Sequence, residues 1–346
     1  MRKGSQGYYS IERLFEILEP LLGQRFDVQL VHVPCHSRGV WRCLRNVVFT
    51  ARLHADVIHV TGDIYYCALG VPRRRCVLTI HDMCSFNRLT GIRRHLFSAV
   101  WYWLPLRWAA FVTAISDETR RQLEERYPAI IGKIVIIPNC LDKNFRHPQR
   151  ATETRMPLRQ ALQVGTGTNK NLERVAAAAS NLPVHLRIIG HLDANRKDFL
   201  RSLNITWSSE EGLSEEKLIQ EYASSDVLIF ASTYEGFGIP ILEAQAMGIP
   251  VITSSVAPMT DTAGKGALFV NPYSVHQIRA ALLALMQGPD LRHLLADLGR
   301  RNIERFDAAA IGEKYGEVYH RSLTRRTPHP TRRSLALSHL RFRSPS

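Results

Sequence analysis

The chain has 346 residues, of which 45 % are hydrophobic and 22 % charged, which is ordinary for a soluble globular protein of about two domains. Its six cysteines form no Cys-x-x-Cys pair and have no histidines at zinc spacing, which argues against a zinc module and indicates buried free thiols. The formal net charge is +14, and the start of the sequence has no apolar segment typical of a secretory signal peptide.

The positive charge is unevenly distributed along the chain. Residues 1–160 have 24 basic and 13 acidic side chains, residues 161–321 have 15 and 18, and residues 322–346 have six arginines and no acid. A basic half suits a nucleic acid, an anionic lipid surface or a phosphorylated substrate, and it equally suits a solvated surface without a partner. Charge alone therefore leaves the class of partner open.

The first predicted element is a turn followed by a helix. The segment MRKGSQGYYS contains Gly4 and Gly7 and leads into a predicted helix over Ile11–Leu22. A doubly wound α/β domain ordinarily opens with a strand before such a glycine-containing turn. No apolar run precedes this turn, so the first strand is apparently missing: either this sequence lacks it or the amino-terminal domain manages without it.

Strands and helices then alternate. In the first half, apolar runs predict strands at Val28–Val33, Val57–Val60, Val77–Ile80, Phe111–Ile115 and Ile134–Ile137. In the second half, they predict strands at Leu162–Gly165, Leu186–Gly190, Val227–Ala231, Val251–Thr253 and Ala267–Val270. This alternation predicts an α/β fold with parallel sheets covered by helices on both faces. The apolar stretch Leu96–Ser116 contains Pro105 and Arg107, which favours a core helix and strand over a membrane span.

A polar stretch without periodicity over residues 142–157 indicates a junction between two domains. We predict one Rossmann-like domain over residues 1–155 and a second over residues 156–307. A helix over residues 308–323 and a disordered basic tail over residues 324–346 follow. Ligands of such sheets bind at the carboxyl ends of the strands, so two facing domains would enclose a binding cleft.

The most informative segment is DVLIFASTYEGFGIPILEAQAMGIP, residues 226–250. A buried strand is predicted to run through a glycine-containing loop into a helix over Ile239–Met247, where Pro240 suits the first turn. Backbone groups at a helix start of this kind bind anions, phosphate in particular. The residues that would line the site are Gly236, Phe237, Gly238 and Ile239.

Two carboxylates flank this predicted phosphate site. Glu235 precedes the helix start, and Glu243 lies one turn inside the helix. Acidic side chains beside a bound anion are favourable if they accept hydrogen bonds from hydroxyls attached to it, such as those of a sugar and a ribose. The alternative is structural, with Glu235 capping the helix and Glu243 suited to the positive end of its dipole.

Two further predicted strands end in polar residues. The strand over Leu162–Gly165 leads into a loop from which Lys170 could reach a phosphate, although a solvated lysine fits the same pattern. His81 follows the strand over Val77–Ile80 on the edge that would face the cleft, and a purely structural histidine is the common alternative.

The segment STYEGFGIPILEAQAMGIPVITS resembles the E-x7-E signature of retaining glycosyltransferases of the GT-B fold, glycosyltransferase family 4. Glu235 and Glu243 have the required spacing. Other segments resemble further family landmarks in the same order: DVIHVTG (56–62), VLTIHD (77–82), VTAISDETRRQL (112–123), VIIPNCLD (135–142), VGTGTNKNL (164–172), LRIIG (186–190), SEEKLIQEYASSDVLIFAS (214–232) and ALFVNP (267–272). The resemblance covers about residues 55–320, and the ordered combination is more specific than any one motif.

The resemblance implies an enzyme that transfers a hexose from a nucleotide diphosphate sugar to an acceptor hydroxyl with retention of configuration. It implies catalytic positions at Glu235 and His81, which would contact the transferred sugar, while Glu243 would hold the ribose. Lys170 would neutralise the diphosphate. The other donor-binding positions that it implies are Gly7, Gly165, Thr166, Gly236, Phe237, Gly238 and Ile239.

Thr166 departs from the family, which often has an arginine at this position. No metal or other cofactor is expected, because Lys170 and the helix start can replace a cation and we find no Asp-x-Asp ion site. The expected partners are a nucleotide sugar, a sugar or lipid-linked acceptor and an anionic membrane surface. They place the enzyme in the cytoplasm, peripheral to the inner face of the membrane, in bacterial surface polysaccharide or glycolipid biosynthesis.

Three alternatives stay open. A sugar-nucleotide epimerase or phosphorylase could use the same architecture, and so could a catalytically degenerate sugar-nucleotide-binding protein. A nucleic-acid binder is supported by the charge alone, and the sequence contains no recognised nucleic-acid motif, so no nucleic acid is expected as a partner.

Overall fold

The computed structural model describes residues 10–37, 39–83, 91–145, 157–324 and 334–338. The described residues form two compact units, each built on its own parallel sheet. The amino-terminal unit takes the chain up to Cys140 and again from Ala308 onward, and the carboxyl-terminal unit takes Leu141–Asp307. The predicted α/β fold with two Rossmann-like domains is confirmed. The boundary predicted near residue 155 lies outside the described residues.

The described strands are, in chain order, β1 (Asp27–Val31), β2 (Val57–Val60), β3 (Cys76–Ile80), β4 (Phe111–Ala114), β5 (Ile134–Ile136), β6 (Gln160–Val164), β7 (His185–Ile189), β8 (Thr206–Glu210), β9 (Val227–Phe230), β10 (Val251–Ser254), β11 (Ala267–Val270) and β12 (Ser334–Ser338). The described α-helices are α1 (Ser10–Leu22), α2 (Val40–Ala51), α3 (Gly91–Ser98), α4 (Leu104–Trp108), α5 (Asp117–Arg126), α6 (Leu172–Ala179), α7 (Ala194–Ser202), α8 (Glu215–Ser224), α9 (Ile239–Ala246), α10 (Met259–Ala263), α11 (Val275–Gln287), α12 (Pro289–Asn302) and α13 (Ala308–Thr324).

The amino-terminal sheet has the order β1-β12-β2-β3-β4-β5, and its neighbouring strands are parallel. Strands β2, β3 and β4 are buried throughout, which is typical of parallel strands covered by helices on both faces. Alternate residues face opposite layers. Ile58 packs in a cluster with Tyr66 and Leu106, whereas Val57 packs with Leu18 of α1 and Tyr315 of α13.

Strand β12 corrects one prediction made from the sequence. The disordered tail predicted over residues 324–346 is wrong for residues 334–338, which form a strand between β1 and β2. The missing first strand stays a prediction, because residues 1–9 lie outside the described residues. Ala336 pairs with Gln29 of β1 on one side and Ile58 of β2 on the other. Arginine- and proline-rich composition favours disorder, but two unpaired strand edges provide backbone partners that composition does not reveal.

The carboxyl-terminal sheet has the order β11-β10-β9-β6-β7-β8, again with parallel neighbours. Along the chain, β6 to β8 extend the sheet in one direction and β9 to β11 extend it in the other, as in a doubly wound nucleotide-binding fold. The edge strand β8 was not predicted, because its sequence TWSSE is polar and its residues are partly exposed. The order of strands therefore reverses between β6 and β9.

The apolar stretch Leu96–Ser116 forms helical turns and the buried strand β4, with Tyr102 and Leu106 in the core. A core helix running into a core strand is the arrangement that the sequence predicts. Across the residues that the structure describes, no helix combines the length and the apolar character that crossing a bilayer requires.

Candidate donor-binding site

The loops after β6 and β9 meet at one point of the carboxyl-terminal sheet. The two strands are neighbours, with Leu162 paired to Leu228, although β7 and β8 lie between them in the sequence. In doubly wound sheets, ligands bind at the carboxyl ends of the strands where the strand order reverses. Lys170 follows β6 and Glu235 follows β9, so both side chains belong to this point.

Helix α9 begins at Ile239 without a side-chain cap among the described residues. Gly238, the residue before it, has φ 99°, a left-handed conformation that glycine adopts without strain. The carbonyl of the buried Phe237 accepts a hydrogen bond from the Thr262 hydroxyl at 2.7 Å, which holds the turn in place. Among the described residues, Glu235 accepts hydrogen bonds from Asn169 and Lys170, so the alternative in which Glu235 caps this helix is not observed there.

The central contact of the site joins the two loops. Lys170 Nζ donates to Glu235 Oε1 at 2.7 Å, and Asn169 Nδ2 donates to the same oxygen at 3.2 Å. The Lys170 and Glu235 side chains are 20 % and 13 % exposed, so the pair is reachable from solvent but largely shielded. A bound anion could therefore compete for Lys170 without first opening the core.

Lys170 is held in position by the Phe230 ring, and Gly165 leaves room for its stem. Its ammonium lies 4.4 Å from the centroid of the Phe230 ring, within cation–π range. Its stem crosses Gly165, where a Cβ atom would lie 2.8 Å from Lys170 Cε. Gly165 also has φ 88°, which disfavours any other residue. The absence of a side chain at Gly165 therefore lets Lys170 lie across the loop, which is a physical reason for a glycine at this predicted donor-binding position.

Asn171 connects the loop after β6 to the loops after β9 and β11, a role that was not predicted from the sequence. It is buried in the left-handed conformation, with φ 60°, and precedes α6. Its Nδ2 donates to the carbonyls of Ala231 at 2.9 Å and Pro272 at 2.6 Å. Asparagine is one of the few residues that adopt this backbone readily, so Asn before a helical pattern is the signal that could have identified it.

Glu243 lies inside α9 with only 2 % exposure. Its Oε2 accepts a hydrogen bond from the Tyr222 hydroxyl at 2.6 Å, and Tyr222 is itself fully buried. A buried carboxylate needs such donors, since an unsatisfied charge in the interior is costly. Tyr222, another residue that the sequence did not indicate, therefore fixes the orientation of Glu243, whose contact with a ribose stays a prediction.

Thr166 takes part in local loop structure. Its hydroxyl donates to the His191 carbonyl at 2.6 Å, and a Cβ at Gly190 would lie 2.9 Å from the same hydroxyl. The side chain thereby ties the loop after β6 to the loop after β7. An arginine at this position would extend beyond these contacts, so Thr166 gives a more neutral surface than the family pattern.

His81 follows β3 in the amino-terminal unit and is 4 % exposed. Its Nε2 lies 2.6 Å from the Thr61 carbonyl, which can only accept, so Nε2 carries the proton. Burial lowers the pKa of His81, although the Thr61 carbonyl and the Asp63 charge act in the opposite direction. His81 is therefore neutral near pH 7, with Nδ1 as its acceptor nitrogen.

The structure thus brings Glu235, Lys170, Gly165 and the start of α9 together in the carboxyl-terminal unit. His81 belongs to the amino-terminal unit. The predicted donor-binding residue Gly7 lies outside the described residues. The roles of all these residues toward a ligand stay predictions.

Two Rossmann-like units, one with a candidate phosphate site where its strand order reverses, are characteristic of the GT-B class of glycosyltransferases. Solved structures of this class share the fold. Sucrose-phosphate synthase from Thermosynechococcus elongatus aligns with a TM-score of 0.69 and 19 % identity over 83 % of this chain and 79 % of its own. WaaG, a glycosyltransferase involved in lipopolysaccharide biosynthesis, aligns with a TM-score of 0.66 and 16 % identity over 90 % and 96 %.

Family models and curated relatives identify the family. The model of Glycosyltransferase Family 4 matches residues 12–145, and that of Glycosyl transferases group 1 matches residues 149–302. O-antigen chain mannosyltransferase B from Escherichia coli is 30 % identical over 76 % of this chain and 74 % of its own. MMP alpha-(1->4)-mannosyltransferase from Mycolicibacterium hassiacum is 25 % identical over 78 % and 71 %. The chain belongs to glycosyltransferase family 4, group 1, and is a glycosyltransferase.

Proposed function

We propose that the protein transfers a hexose from a nucleotide diphosphate sugar to an acceptor hydroxyl and retains the anomeric configuration. The contact of Lys170 with Glu235 beside the uncapped start of α9 carries this proposal. A cation, a row of backbone donors and a carboxylate in one small region suit a diphosphate attached to a sugar. Two relatives are named mannosyltransferases, and a similar solved structure is a complex of Anabaena HepE with UDP-glucose, so mannose and glucose are the first donor sugars to test.

Donor binding would redistribute the contacts of the ion pair. Lys170 and Glu235 neutralise each other at 2.7 Å. The diphosphate would draw the Lys170 ammonium toward its oxygens, and Glu235 would then accept hydrogen bonds from hydroxyls of the transferred sugar. Glu243, oriented by Tyr222, would accept from the ribose. Each charge-assisted hydrogen bond would contribute about 1.5–3 kcal/mol to binding.

The proposed reaction takes place on one face of the sugar. The bond from the anomeric carbon to the diphosphate oxygen breaks, and the acceptor oxygen attacks from the same side. The acceptor proton passes to the departing phosphate oxygen. Lys170 and the N–H groups at the start of α9 stabilise the negative charge that grows on the diphosphate, which is the type of contact that contributes most to such reactions. His81 is retained as a second candidate catalytic residue.

No metal takes part in this proposal, because the Lys170 ammonium and the helix start provide the positive potential that a divalent cation would otherwise supply. Turnover should therefore be unchanged by a strong chelator and by added Mg²⁺. A loss of activity on chelation that returns with Mg²⁺ would contradict this part of the proposal.

The test begins with thermal shifts on a panel of GDP-, UDP- and ADP-sugars, since a ligand that binds the folded state raises the melting temperature. The donor that stabilises the protein is then incubated with candidate acceptors, and the anomeric configuration of the product is read by NMR. A product with retained configuration supports the proposal. An inverted product, an epimer formed without acceptor, a sugar phosphate, or binding without turnover would each refute it.

Exposed apolar residues on the amino-terminal unit support a membrane-facing acceptor side. Helix α2 exposes Val40, Trp41, Leu44 and Val48 by 73, 84, 48 and 48 %. Arg42 and Arg45 on the same helix are also exposed. A helix that combines exposed tryptophan and leucine with arginines is typical of segments that lie in the interface of an anionic membrane. The basic character of the first half, +11 over residues 1–160, adds long-range attraction.

A second exposed set lies in the same layer of the unit. Val100, Trp103, Leu104 and Trp108 are 39–43 % exposed, and the Arg107 guanidinium stacks over the Trp103 ring at 5.3 Å. The 3-10 helix Tyr65–Gly70 contacts both α2 and α4, which places the two sets on one side of the sheet. We therefore assign the acceptor to a lipid-linked class at the inner, cytoplasmic face of a membrane.

Vesicle sedimentation tests this assignment. Binding to vesicles with about a third phosphatidylglycerol should exceed binding to pure phosphatidylcholine and should weaken as salt rises. The Trp41→Ser variant should bind several-fold less, whereas Leu294→Ser, which alters a 54 % exposed leucine of the other unit, should bind like the wild type. Equal binding to both vesicle types, or equal binding by both variants, would contradict a role for α2.

A further inference from the structure

Asp63 is an exposed residue in an otherwise buried segment of the amino-terminal unit. All other residues of 57–68, which include β2 and the loop after it, are buried. Ile64 N donates to the Gly62 carbonyl at 2.7 Å, which closes a three-residue turn around Asp63. Trp101 Nε1 donates to the Asp63 carbonyl at 2.9 Å. The Asp63 carboxylate is therefore presented to solvent from a backbone that is held on both sides.

This carboxylate has no counter-ion within the described part of the chain. Residues 1–160 carry 24 basic side chains, yet no described lysine, arginine or histidine forms a salt bridge with Asp63. Asp117, an exposed aspartate at the start of α5, instead pairs with Arg120 at 2.8 Å. Asp63 thus keeps its full capacity to accept hydrogen bonds from a ligand.

Asp63 lies beside His81. The two residues follow β2 and β3, which are neighbours in the sheet, and ligands of doubly wound sheets bind at the carboxyl ends of their strands. The Thr61 carbonyl, two residues before Asp63, accepts from His81 Nε2 at 2.6 Å. Burial lowers the pKa of His81, and the charge of Asp63 is close enough to oppose that effect. The loops after β2 and β3 thus bring a carboxylate and an imidazole together.

His81 Nδ1 is a second acceptor that has no partner among the residues that the structure describes. The backbone N–H of His81 donates to the Tyr65 hydroxyl at 3.4 Å, and the Thr119 hydroxyl donates to the His81 carbonyl at 3.5 Å. The Nε2 proton is taken by Thr61, which leaves Nδ1. Because His81 is only 4 % exposed, an unpaired atom is costly unless a ligand or a water satisfies it. The side chains of Asp63 and His81 together offer acceptors and no free donor.

We propose that Asp63 binds the acceptor of the reaction by accepting a hydrogen bond from a hydroxyl of a sugar ring. This inference rests on the proposed function and names the chemistry of its acceptor. A hydroxyl can donate to a carboxylate and to an imidazole nitrogen, whereas a phosphate would bring negative charge against Asp63. Trp101, which contacts Asp63, and Phe97 stack with ring centroids 4.8 Å apart and are partly exposed. Aromatic surface beside a few polar groups suits a neutral saccharide.

The position of Trp101 relates this subsite to the surface proposed to face the membrane. Trp101 and Trp103 belong to the same π-helical turn, Ala99–Trp103, and turns of this kind are frequent at functional sites. Trp103 is 43 % exposed and belongs to the second exposed set described above. A sugar bound at Asp63 would therefore lie near that set, as expected for the sugar of a lipid-linked acceptor.

Sugar binding by the full chain tests the inference without requiring turnover. Saturation-transfer NMR with methyl α-mannoside and methyl α-glucoside should show that the wild type binds at least one of them. Asp63→Asn keeps the size of the side chain, removes its charge and should weaken this binding by about tenfold. Asp27→Asn is the matched control, since Asp27 is also exposed and unpaired among the described residues but lies at the amino end of β1. A wild type that binds neither glycoside, equal weakening in the two variants, or displacement of the glycoside by inorganic phosphate would overturn the inference.

Kinetics separates the role of Asp63 from donor binding. Asp63→Asn should raise the KM for the acceptor by about tenfold and leave unchanged both the donor KM and the rise in melting temperature caused by the donor. Asp63→Glu retains a carboxylate and should retain part of the acceptor affinity. An unchanged acceptor KM in Asp63→Asn, or an equal rise in the donor KM, would overturn the inference. A wild type that binds glycosides through Asp63 but transfers no sugar would contradict the proposed function and leave the saccharide site at Asp63 supported.

Discussion

Lys170 Nζ and Glu235 Oε1 lie 2.7 Å apart at the point where the carboxyl-terminal sheet reverses its strand order. Each charge compensates the other, and under the proposed function each would contact a different part of a sugar nucleotide. Under the proposed function, the diphosphate of the donor would compete with Glu235 for the Lys170 ammonium.

Lys170→Met should lower kcat by about a hundredfold or more, because the variant loses the positive charge that would stabilise the leaving diphosphate. Release of nucleoside diphosphate measures this loss. Lys217→Met is the matched control, since it breaks an exposed pair with Glu210 at 3.9 Å and should leave turnover unchanged. Normal turnover in Lys170→Met would rule out the proposed role of this lysine.

Gly165→Ala should reduce both stability and turnover, for two separable reasons. The backbone at φ 88° costs a non-glycine residue about 1–2 kcal/mol, and the new Cβ would displace the Lys170 stem that lies 2.8 Å away. Gly132→Ala has the same backbone penalty at φ 76° with no atom within 4 Å. Urea unfolding should show similar losses of stability in both variants, and only Gly165→Ala should lose activity. Equal activity in the two would remove Gly165 from the site.

Tyr222→Phe should weaken donor binding more than it slows the chemical step. The change removes the hydroxyl that donates to the buried Glu243 at 2.6 Å, at a cost of about 1–3 kcal/mol in stability. We expect KM for the donor to rise several-fold while kcat stays within about twofold. Tyr273→Phe, at a 63 % exposed tyrosine of the same unit, is the control and should match the wild type. An unchanged donor KM in Tyr222→Phe would separate Glu243 from donor binding.

Asn171→Gly keeps the left-handed backbone at φ 60° and removes the amide that donates to Ala231 and Pro272. The two buried carbonyls lose their donor, so we expect a loss of about 1–3 kcal/mol in the free energy of unfolding. Asn181→Gly, at an exposed residue with φ 59°, has the same backbone change and loses only exposed side-chain hydrogen bonds, to Ser180 and from Asn204, so it should lie within about 0.5 kcal/mol of the wild type. Equal unfolding curves for the two variants would show that the Asn171 amide does not hold the loops.

His81 should make the protein less stable as the pH falls below about 6.5. Burial keeps its pKa below the ordinary value of 6.5, so the unfolded chain takes up a proton at a pH where the folded chain does not. The contribution of neutral His81 to stability is therefore fully present above about pH 6.5. It declines as the pH falls from there to the lowered pKa of His81 in the folded protein. Urea unfolding from about pH 7.5 to about pH 5 should show a smaller decline in His81→Asn than in the wild type. An equal decline would mean that His81 does not titrate as its burial implies.

The sequence predicts the parts of the fold that depend on local apolar runs. Strands such as β2 and β9 are entirely buried, so their composition alone indicates them. The polar edge strand β8 and the segment β12 were missed, because the former is partly exposed and the latter depends on partners far away in the sequence. Strand pairing over such distances leaves no local pattern to read.

The residues of the candidate site likewise fall into those that the sequence indicates and those that it does not. Glu235, Lys170 and Gly165 follow predicted strands at their carboxyl ends, where the fold brings loops together, so chain order was sufficient to bring them to attention. Tyr222 and Asn171 act through buried hydrogen bonds to other loops and helices, at Glu243 and at two carbonyls. Such contacts depend on tertiary packing, which a single sequence does not display.

The place of β12 also bears on how the protein is made. Domains generally fold during synthesis, and the amino-terminal domain folds first. Here the segment that links β1 to its sheet, and the helix α13 that packs on α1, are synthesised only after the whole of Leu141–Asp307. The unit formed by Leu141–Asp307 holds all of its own strands much earlier. During synthesis, the second unit should therefore be able to fold while the first unit still lacks β12.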